Sequence, residues 1–382
     1  MYKRLLKRPL ENGQSFFLFG PRGTGKSSWT KEQVPEGLRI DLLETDAFID
    51  LSARPQRLEQ MIPPHFKEWI IIDEVQKIPL LLDEVHRLIE NKGYKFILTG
   101  SSARSLKKKG VNLLAGRALS FHLFPLTALE LGKDFQIQKS LQFGHLPYVY
   151  SKSSEGQIRD YLGAYTQVYL REEVMQEGLT RNAPAFSRFL ETASFSQGSI
   201  LNVSEVARET SINRKVVEDY FQIVEDLLLA QKLPPFTKRA KRKLLSHAKF
   251  FFFDGGVFRA IRPHGPYDTP EEIDGAVLET LVYQELKAIN HYFDFGYTVY
   301  FWRTASQVEV DFVLYGPRGV FAIEVKRAEK LNEKDLSGLR LFGEDYPEAK
   351  RFLFYGGKKK EYIDGIQLIP IEEALLSLPQ LL

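Results

Sequence analysis

At 382 residues the chain is longer than one ordinary hydrophobic core supports, so two or three domains are expected. An apolar content of 43% beside 26% charged residues fits a soluble globular protein, and a net charge of +3 is too small to name a polyanionic partner without a local patch. The absence of cysteine excludes disulfides, cysteine-ligated zinc and thiol catalysis. The apolar run after the basic start, "FFLF", is shorter than a signal-peptide core (roughly 7 residues) or a membrane span (about 20), so a cytoplasmic protein with no membrane partner is expected.

The first element in chain order is "FFLFGPRGTGKSS". An apolar strand runs into Gly20, Pro21, Arg22, Gly23, Thr24, Gly25, Lys26, Ser27 and Ser28, with a helix expected from about Lys26. Gly20, Gly25, Lys26 and Ser27 follow the G-x-x-x-x-G-K-[ST] order of a phosphate-binding loop. Glycines let the backbone N–H groups wrap around phosphates, and the helix N-terminus adds positive potential. Lys26 would reach the β- and γ-phosphates of ATP, and Ser27 would hold Mg²⁺. "WIIIDEV" is a second apolar strand, ending in Asp73 for the magnesium shell and Glu74 to activate the attacking water. A third, "YKFILTGSS", ends in Thr99, Ser101 and Ser102, one of which is a candidate γ-phosphate sensor; equally, polar residues end ordinary strands. Arg117, in "LLAGRALSFHLFPLT", is a candidate arginine finger, in cis or from a neighbouring subunit, or a solvated loop arginine. With "LRIDLL" and the helical "LLDEVHRLIENKG", this segment has a doubly wound α/β pattern.

The pieces GPRGTGKS, IIIDEV, LTGSS and LAGR, in this order, resemble a large prokaryotic family of ATP-binding proteins with an AAA-type ATPase domain followed by a C-terminal domain of uncharacterised function. The resemblance covers nearly the whole chain. It implies ATP and Mg²⁺ as ligands and active sites often placed between subunits, hence a possible homo-oligomer.

In the middle, Tyr161, Tyr165 and Tyr169 recur at helical spacing, a stripe that reads as packing rather than base stacking. "NVSEVARETSINRKVVEDYFQIVEDLLLAQKL" reads as a helix over 204–209, a tight turn, and a longer helix from Arg214 capped by Asn213. This is a helix-turn-helix pattern, with a strand-loop-strand wing in the stretch after it. Arg214 and Lys215 open the candidate recognition helix, and Lys238, Arg239, Lys241, Arg242 and Lys243 form a basic cluster suited to DNA phosphates. The same module also fits a nucleotide-dependent lid or a protein contact.

The last third contains "VEVDFVLYGPRGVFAIEVKRA", two strands joined by a Gly-Pro-Arg-Gly turn. With Pro317 and Arg318 as the loop, Asp311 stands opposite Glu324, and Lys326 shares their face. Two carboxylates this close repel each other unless a divalent cation lies between them. The Asp…Glu-x-Lys order is the core of PD-(D/E)xK nuclease chemistry. There the two acids bind Mg²⁺ or Mn²⁺, the metal acidifies a water, and the lysine positions that water and stabilises the developing charge. On the preceding helix, "GAVLETLVYQELKAIN", Glu279 lies at the edge of the apolar face and Glu285 near its middle, so Glu279 is favoured as a third metal ligand. Trp302 and Arg303 lie on the neighbouring strand, where Arg303 is a candidate phosphate contact. The stretches "KFFFFDGGV", "LETLVYQEL", "FWR", "EVDFVL" and "AIEVK" continue the family resemblance, whose C-terminal domain is similar to restriction-endonuclease folds.

The expected architecture is an α/β AAA-type P-loop ATPase domain (1–135), a helical and winged-helix middle (136–245), and a restriction-endonuclease-like α/β domain (246–382). The expected function is ATP hydrolysis coupled to a metal-dependent nuclease acting on DNA. The competing expectation is an ATP-driven signalling or assembly switch whose C-terminal domain is inactive and binds a partner or DNA.

Overall fold

A computed structural model describes residues 2–102, 118–152, 154–169, 174–175, 182–238, 242, 244, 247–265 and 268–382. Arg117, Arg239, Lys241 and Lys243 lie outside the described residues, as does the side chain of Tyr169. The chain divides into two compact units, one of Lys3–Pro125 with Asp226–Leu229, the other built mainly from Leu126–Glu225 and Ala230–Leu382. The helical middle and the C-terminal sheet therefore belong to one unit.

The first unit is a five-stranded parallel sheet. Its strands are β1 (Phe16–Phe19), β2 (Leu38–Asp41), β3 (Trp69–Asp73), β4 (Lys95–Gly100) and β5 (Leu119–His122), in the order β2-β3-β4-β1-β5. β1 lies between β4 and β5 and buries all four of its side chains, which is why it reads as an unbroken apolar run rather than an alternating one. Helices Lys26–Gln33 and Leu81–Lys92 are the main crossovers, and Val85, Leu88 and Leu82 pack with Ile70, Ile72, Phe96 and Leu98. Because the strands are parallel, the C-terminal ends of β1, β3 and β4 lie at one edge of the sheet, and the polar residues that follow them gather there.

In the second unit, helices Ala183–Ser194, Val203–Thr210 and Arg214–Asp226 are followed by the antiparallel pair β6 (Ala230–Leu233) and β7 (Lys249–Phe252). Asn202 caps the second of these helices through Glu205 N–H, Ser211 takes a left-handed backbone at its end, and Asn213 accepts from Lys215 N–H at 2.9 Å. Val206, Ala207, Val217, Tyr220, Phe221 and Val224 are buried. Isolated bridges join Gln197 to Phe250 and Ile200 to Lys249, tying the segment before helix Val203–Thr210 to β7 without forming a third strand. Tyr161 stacks on Tyr148 at 4.0 Å and leans towards Tyr165, which is buried against Phe253, so these two tyrosines of the stripe are packing residues.

The larger sheet of this unit has the order β12-β13-β11-β10-β9-β8. It comprises β8 (Thr298–Arg303), β9 (Glu309–Gly316), β10 (Gly319–Lys326), β11 (Lys350–Tyr355), β12 (Glu361–Ile363) and β13 (Ile366–Pro370). β8, β9 and β10 form an antiparallel meander, and β10, β11 and β13 run parallel. Helix Pro270–Tyr292 packs against it through Tyr283, whose ring stacks with Phe312, and helix Ser337–Asp345 through Leu339 and Phe342. Among the described residues no helix is long and apolar enough to cross a membrane.

Candidate functional sites

The phosphate-binding loop is shaped by what glycine permits. Gly25 has φ of 93°, a left-handed conformation that side chains disfavour, and it caps helix Lys26–Gln33. A Cβ on Gly20 would lie 2.4 Å from the Leu123 carbonyl oxygen, so β1 and the segment after β5 approach too closely there for any larger residue. Lys26 is buried, and its Nζ donates to the Gly20 carbonyl at 2.7 Å and the Pro21 carbonyl at 3.3 Å. An ammonium held inside its own loop by neutral carbonyls is poised for a stronger, anionic acceptor. Buried Arg4 supports the loop from behind, donating to the Thr24 and Phe124 carbonyls.

One hydrogen-bonded set includes a loop residue, and a second links the residues that follow β3 and β4. Ser27 Oγ donates to Asp73 Oδ2 at 2.7 Å, and Thr99 Oγ1 donates to Asp73 Oδ1, so β3, β4 and the loop converge on one carboxylate. Gln76 Nε2 donates to both Glu74 Oε2 and Ser101 Oγ, the latter at 3.1 Å. Glu74 has φ of 58°, which is uncommon outside glycine and is the kind of strain that collects at functional sites. Gln76 had no role in the sequence reading, although it stands two residues beyond the acidic pair. Ser102 instead donates to the Asp226 carbonyl.

The second cluster lies on the C-terminal sheet. The β9–β10 ladder runs from Gly316–Gly319 to Phe312–Ile323, the register expected for a Pro317-Arg318 loop. One step further, side chains replace ladder bonds. Val325 N–H donates to Asp311 Oδ2 at 2.8 Å, and Asp311 N–H donates to Glu324 Oε2 at 3.4 Å. Lys326 Nζ donates to Glu324 Oε1 at 2.7 Å. Asp311 and Glu324 are 5% and 7% exposed, which is rare for carboxylates without compensating charge. Burial, then the Asp311 charge, push the Glu324 carboxyl well above its ordinary range despite Lys326.

Glu279 joins this cluster and Glu285 does not. Burial and the Asp311 charge push the Glu279 carboxyl up to about 8, against the pull of Lys249. Glu285 accepts from Ala128 N–H at 2.6 Å and lies 3.6 Å from His145 Nδ1, both groups fully buried. It is part of the packing that ties helix Pro270–Tyr292 to the segment after Leu126.

The residue that sequence reasoning missed is Lys249. It comes from β7, is 3% exposed, and its Nζ lies 3.7 Å from Glu279 Oε2 while also pairing with Glu309. Arg303 pairs with the other oxygen of Glu309 at 3.3 Å. Burial pulls the Lys249 ammonium's pKa down, but Glu279, Asp311 and Glu309 outweigh it and hold the charge on. Among the described residues, no three His, Asp or Glu side chains are already arranged as a metal-ligand set.

Two described cations of the basic stretch after β6 are already engaged within the protein. Arg242 is bound to Asp345 at 2.6 Å and Glu344 at 3.1 Å, and the Lys238 ammonium sits over the Tyr315 ring at 4.2 Å. On the exposed face of helix Arg214–Asp226, Arg214 is paired with Glu218 at 2.9 Å.

Residues 12–132 match the family described as "AAA domain". The N-terminal third is an AAA-type ATPase domain. Residues 134–267 and 274–374 match two families described as domains of unknown function, DUF8612 and DUF4143. The chain is 22% identical over 329 residues to the uncharacterized protein Rv2008c of Mycobacterium tuberculosis, covering 84% of this chain and 72% of that one. It is 24% identical over 336 residues to an uncharacterized protein of Haemophilus influenzae, covering 83% and 80%. Among solved structures, the ADP form of the Aeropyrum pernix ORC2 protein aligns with 70% of this chain and 88% of its own at 12% identity and a TM-score of 0.31.

Proposed function

We propose that this protein is an ATP hydrolase that governs a metal-dependent nuclease acting on DNA. For the ATPase, the carrying observation is the convergence of Ser27 and Thr99 on the Asp73 carboxylate beside the Gly20–Ser27 loop. Lys26 would exchange its loop carbonyls for the β- and γ-phosphates. Ser27 and Asp73 would hold Mg²⁺, whose positive charge would offset negative charge on the phosphates. Glu74, fixed by Gln76, would orient the water and take its proton. The Glu74–Gln76–Ser101 chain gives Ser101 a route to report on the state of that water, so Ser101 is the favoured sensor.

For the nuclease, support comes from Asp311, Glu324 and Lys326 meeting at the point where the β9–β10 ladder ends, with Glu279 in their electric field. Two buried acids and a lysine at that point are costly for a purely structural sheet. The residues present fit a hard divalent ion, because carboxylate oxygens are its preferred donors. Such an ion would supply an acidified water, while Lys326 would place it and stabilise the phosphorane.

The test has two parts. Lys26→Ala should lose ATP binding, and Glu74→Gln should retain binding but hydrolyse slowly; two variants that turn over like the parent would refute the ATPase assignment. In calorimetric titration with Mn²⁺, Asp311→Ala should lose most affinity and Lys326→Ala should keep it.

A further inference from the structure

We infer that the lysine loop after β11 is a docking patch for the phosphate backbone of duplex DNA, beside the Asp311–Glu324–Lys326 cluster. The inference rests on reading that cluster as a DNA-cutting centre. β10 and β11 are parallel neighbours with Lys326 beside Tyr355, so both strands leave the sheet at the same end. From β10 the chain continues as Arg327, Ala328, Glu329 and Lys330; from β11 it continues as Gly356, Gly357, Lys358, Lys359 and Lys360. The two exits run against each other. Gly356 N–H donates to the Ala328 carbonyl at 3.1 Å, and a Cβ on Gly356 would lie 2.1 Å from the Arg327 carbonyl oxygen. Tyr355 Oη donates to the Lys359 carbonyl at 2.6 Å and holds the loop folded back over its strand.

This pinning leaves the cations outside. Arg327, Lys330, Lys358, Lys359 and Lys360 are all exposed, against Glu329 and Glu361 in the same two stretches. Arg327 is paired with Asp274, and Lys360 with Glu373. Among the described residues, Lys330, Lys358 and Lys359 make no ion pair. Arg242 and Lys238 of the wing, by contrast, are spent on the protein's own surface. Unpaired ammonium groups on a fixed loop, one strand away from Lys326, are placed to bind a polyanion by releasing its counterions. Their position would bring a neighbouring phosphate towards the carboxylates.

The test is fluorescence anisotropy of a labelled duplex with the full chain in EDTA, over a salt series, with cleavage in Mg²⁺ or Mn²⁺ read separately. Each lost phosphate contact lowers the log–log salt slope by about 0.9, which at 0.1 M salt is roughly an eightfold loss of affinity. Lys358→Ala with Lys359→Ala should therefore reduce the slope by about 1.8, and the Lys→Glu pair should weaken binding further. Lys350→Ala, at the opposite end of β11, should change neither. A double variant with the parent's affinity and slope overturns the patch, as does a parent that binds no duplex at low salt. A parent that binds through these lysines yet cuts nothing keeps the patch and removes the nuclease reading.

Discussion

Lys249→Met is the sharpest perturbation of the second unit. The lysine is buried, and it is the cation shared by Glu279 and Glu309. Methionine fills much of the same volume without charge. Its introduction leaves Glu279 and Glu309 facing Asp311 with only Arg303, on Glu309, and the more distant Lys326 as counter-charge, a partial form of the situation in which breaking a buried pair costs about 3–5 kcal/mol. Glu279 and Glu309 are 27% and 23% exposed, so water can partly re-solvate them and the cost falls to about 2–3 kcal/mol. For a unit of this size that is a drop of roughly 5–10 °C in Tm. Scanning calorimetry of the metal-free full chain measures it. Adding Glu309→Gln in the Lys249→Met background should recover at least about 1 kcal/mol, because removing both partners leaves less uncompensated charge. A single variant that melts within about 1 °C of the parent, or a double variant whose effects simply add, would show that the ion pairs contribute nothing.

Two further outcomes follow from the same geometry. Gly20→Ala must move backbone, since its Cβ would meet the Leu123 carbonyl; ATP affinity should fall at least about tenfold in a fluorescent-nucleotide titration, and unchanged affinity would mean the loop relaxes freely. Burial holds the Glu285 carboxyl well above its ordinary range, only partly opposed by the Ala128 N–H bond, so the folded chain keeps its proton where the unfolded chain has lost it. Stability from this group is lost as pH rises from about 4.5, at about 1.4 kcal/mol per pH unit until the folded group ionises. Glu285→Gln removes that dependence, and the variant's Tm advantage should grow between pH 5 and 8; a constant difference would place Glu285 in the charged state throughout.

What was legible in the sequence was local. The loop glycines, the strand ending in Asp73-Glu74 and the Gly316–Gly319 turn each carry their geometry in consecutive residues, and the turn alone fixes which residues of β9 and β10 face each other. Compensation between distant charges was not legible. Lys249 sits in an apolar run, and its partners lie 30 and 60 positions downstream on other elements. Arg242 reads as a phosphate-binding cation until Glu344 and Asp345, from helix Ser337–Asp345, are folded against it. Glu285 was visible as an acid in the middle of an apolar face, but its partners Ala128 and His145 come from more than a hundred residues earlier.

The central claim is that Asp311, Glu324 and Lys326 form a working metal-dependent nuclease centre under the control of an ATPase. The most direct measurement is incubation of the parent, Lys326→Ala and Glu74→Gln with duplex and single-stranded DNA, with Mg²⁺ or Mn²⁺, with and without ATP. The account predicts metal-dependent cutting by the parent, none by Lys326→Ala, and an altered ATP response in Glu74→Gln. A parent that cuts no DNA with either metal, or a Lys326→Ala variant that cuts as the parent does, would contradict it.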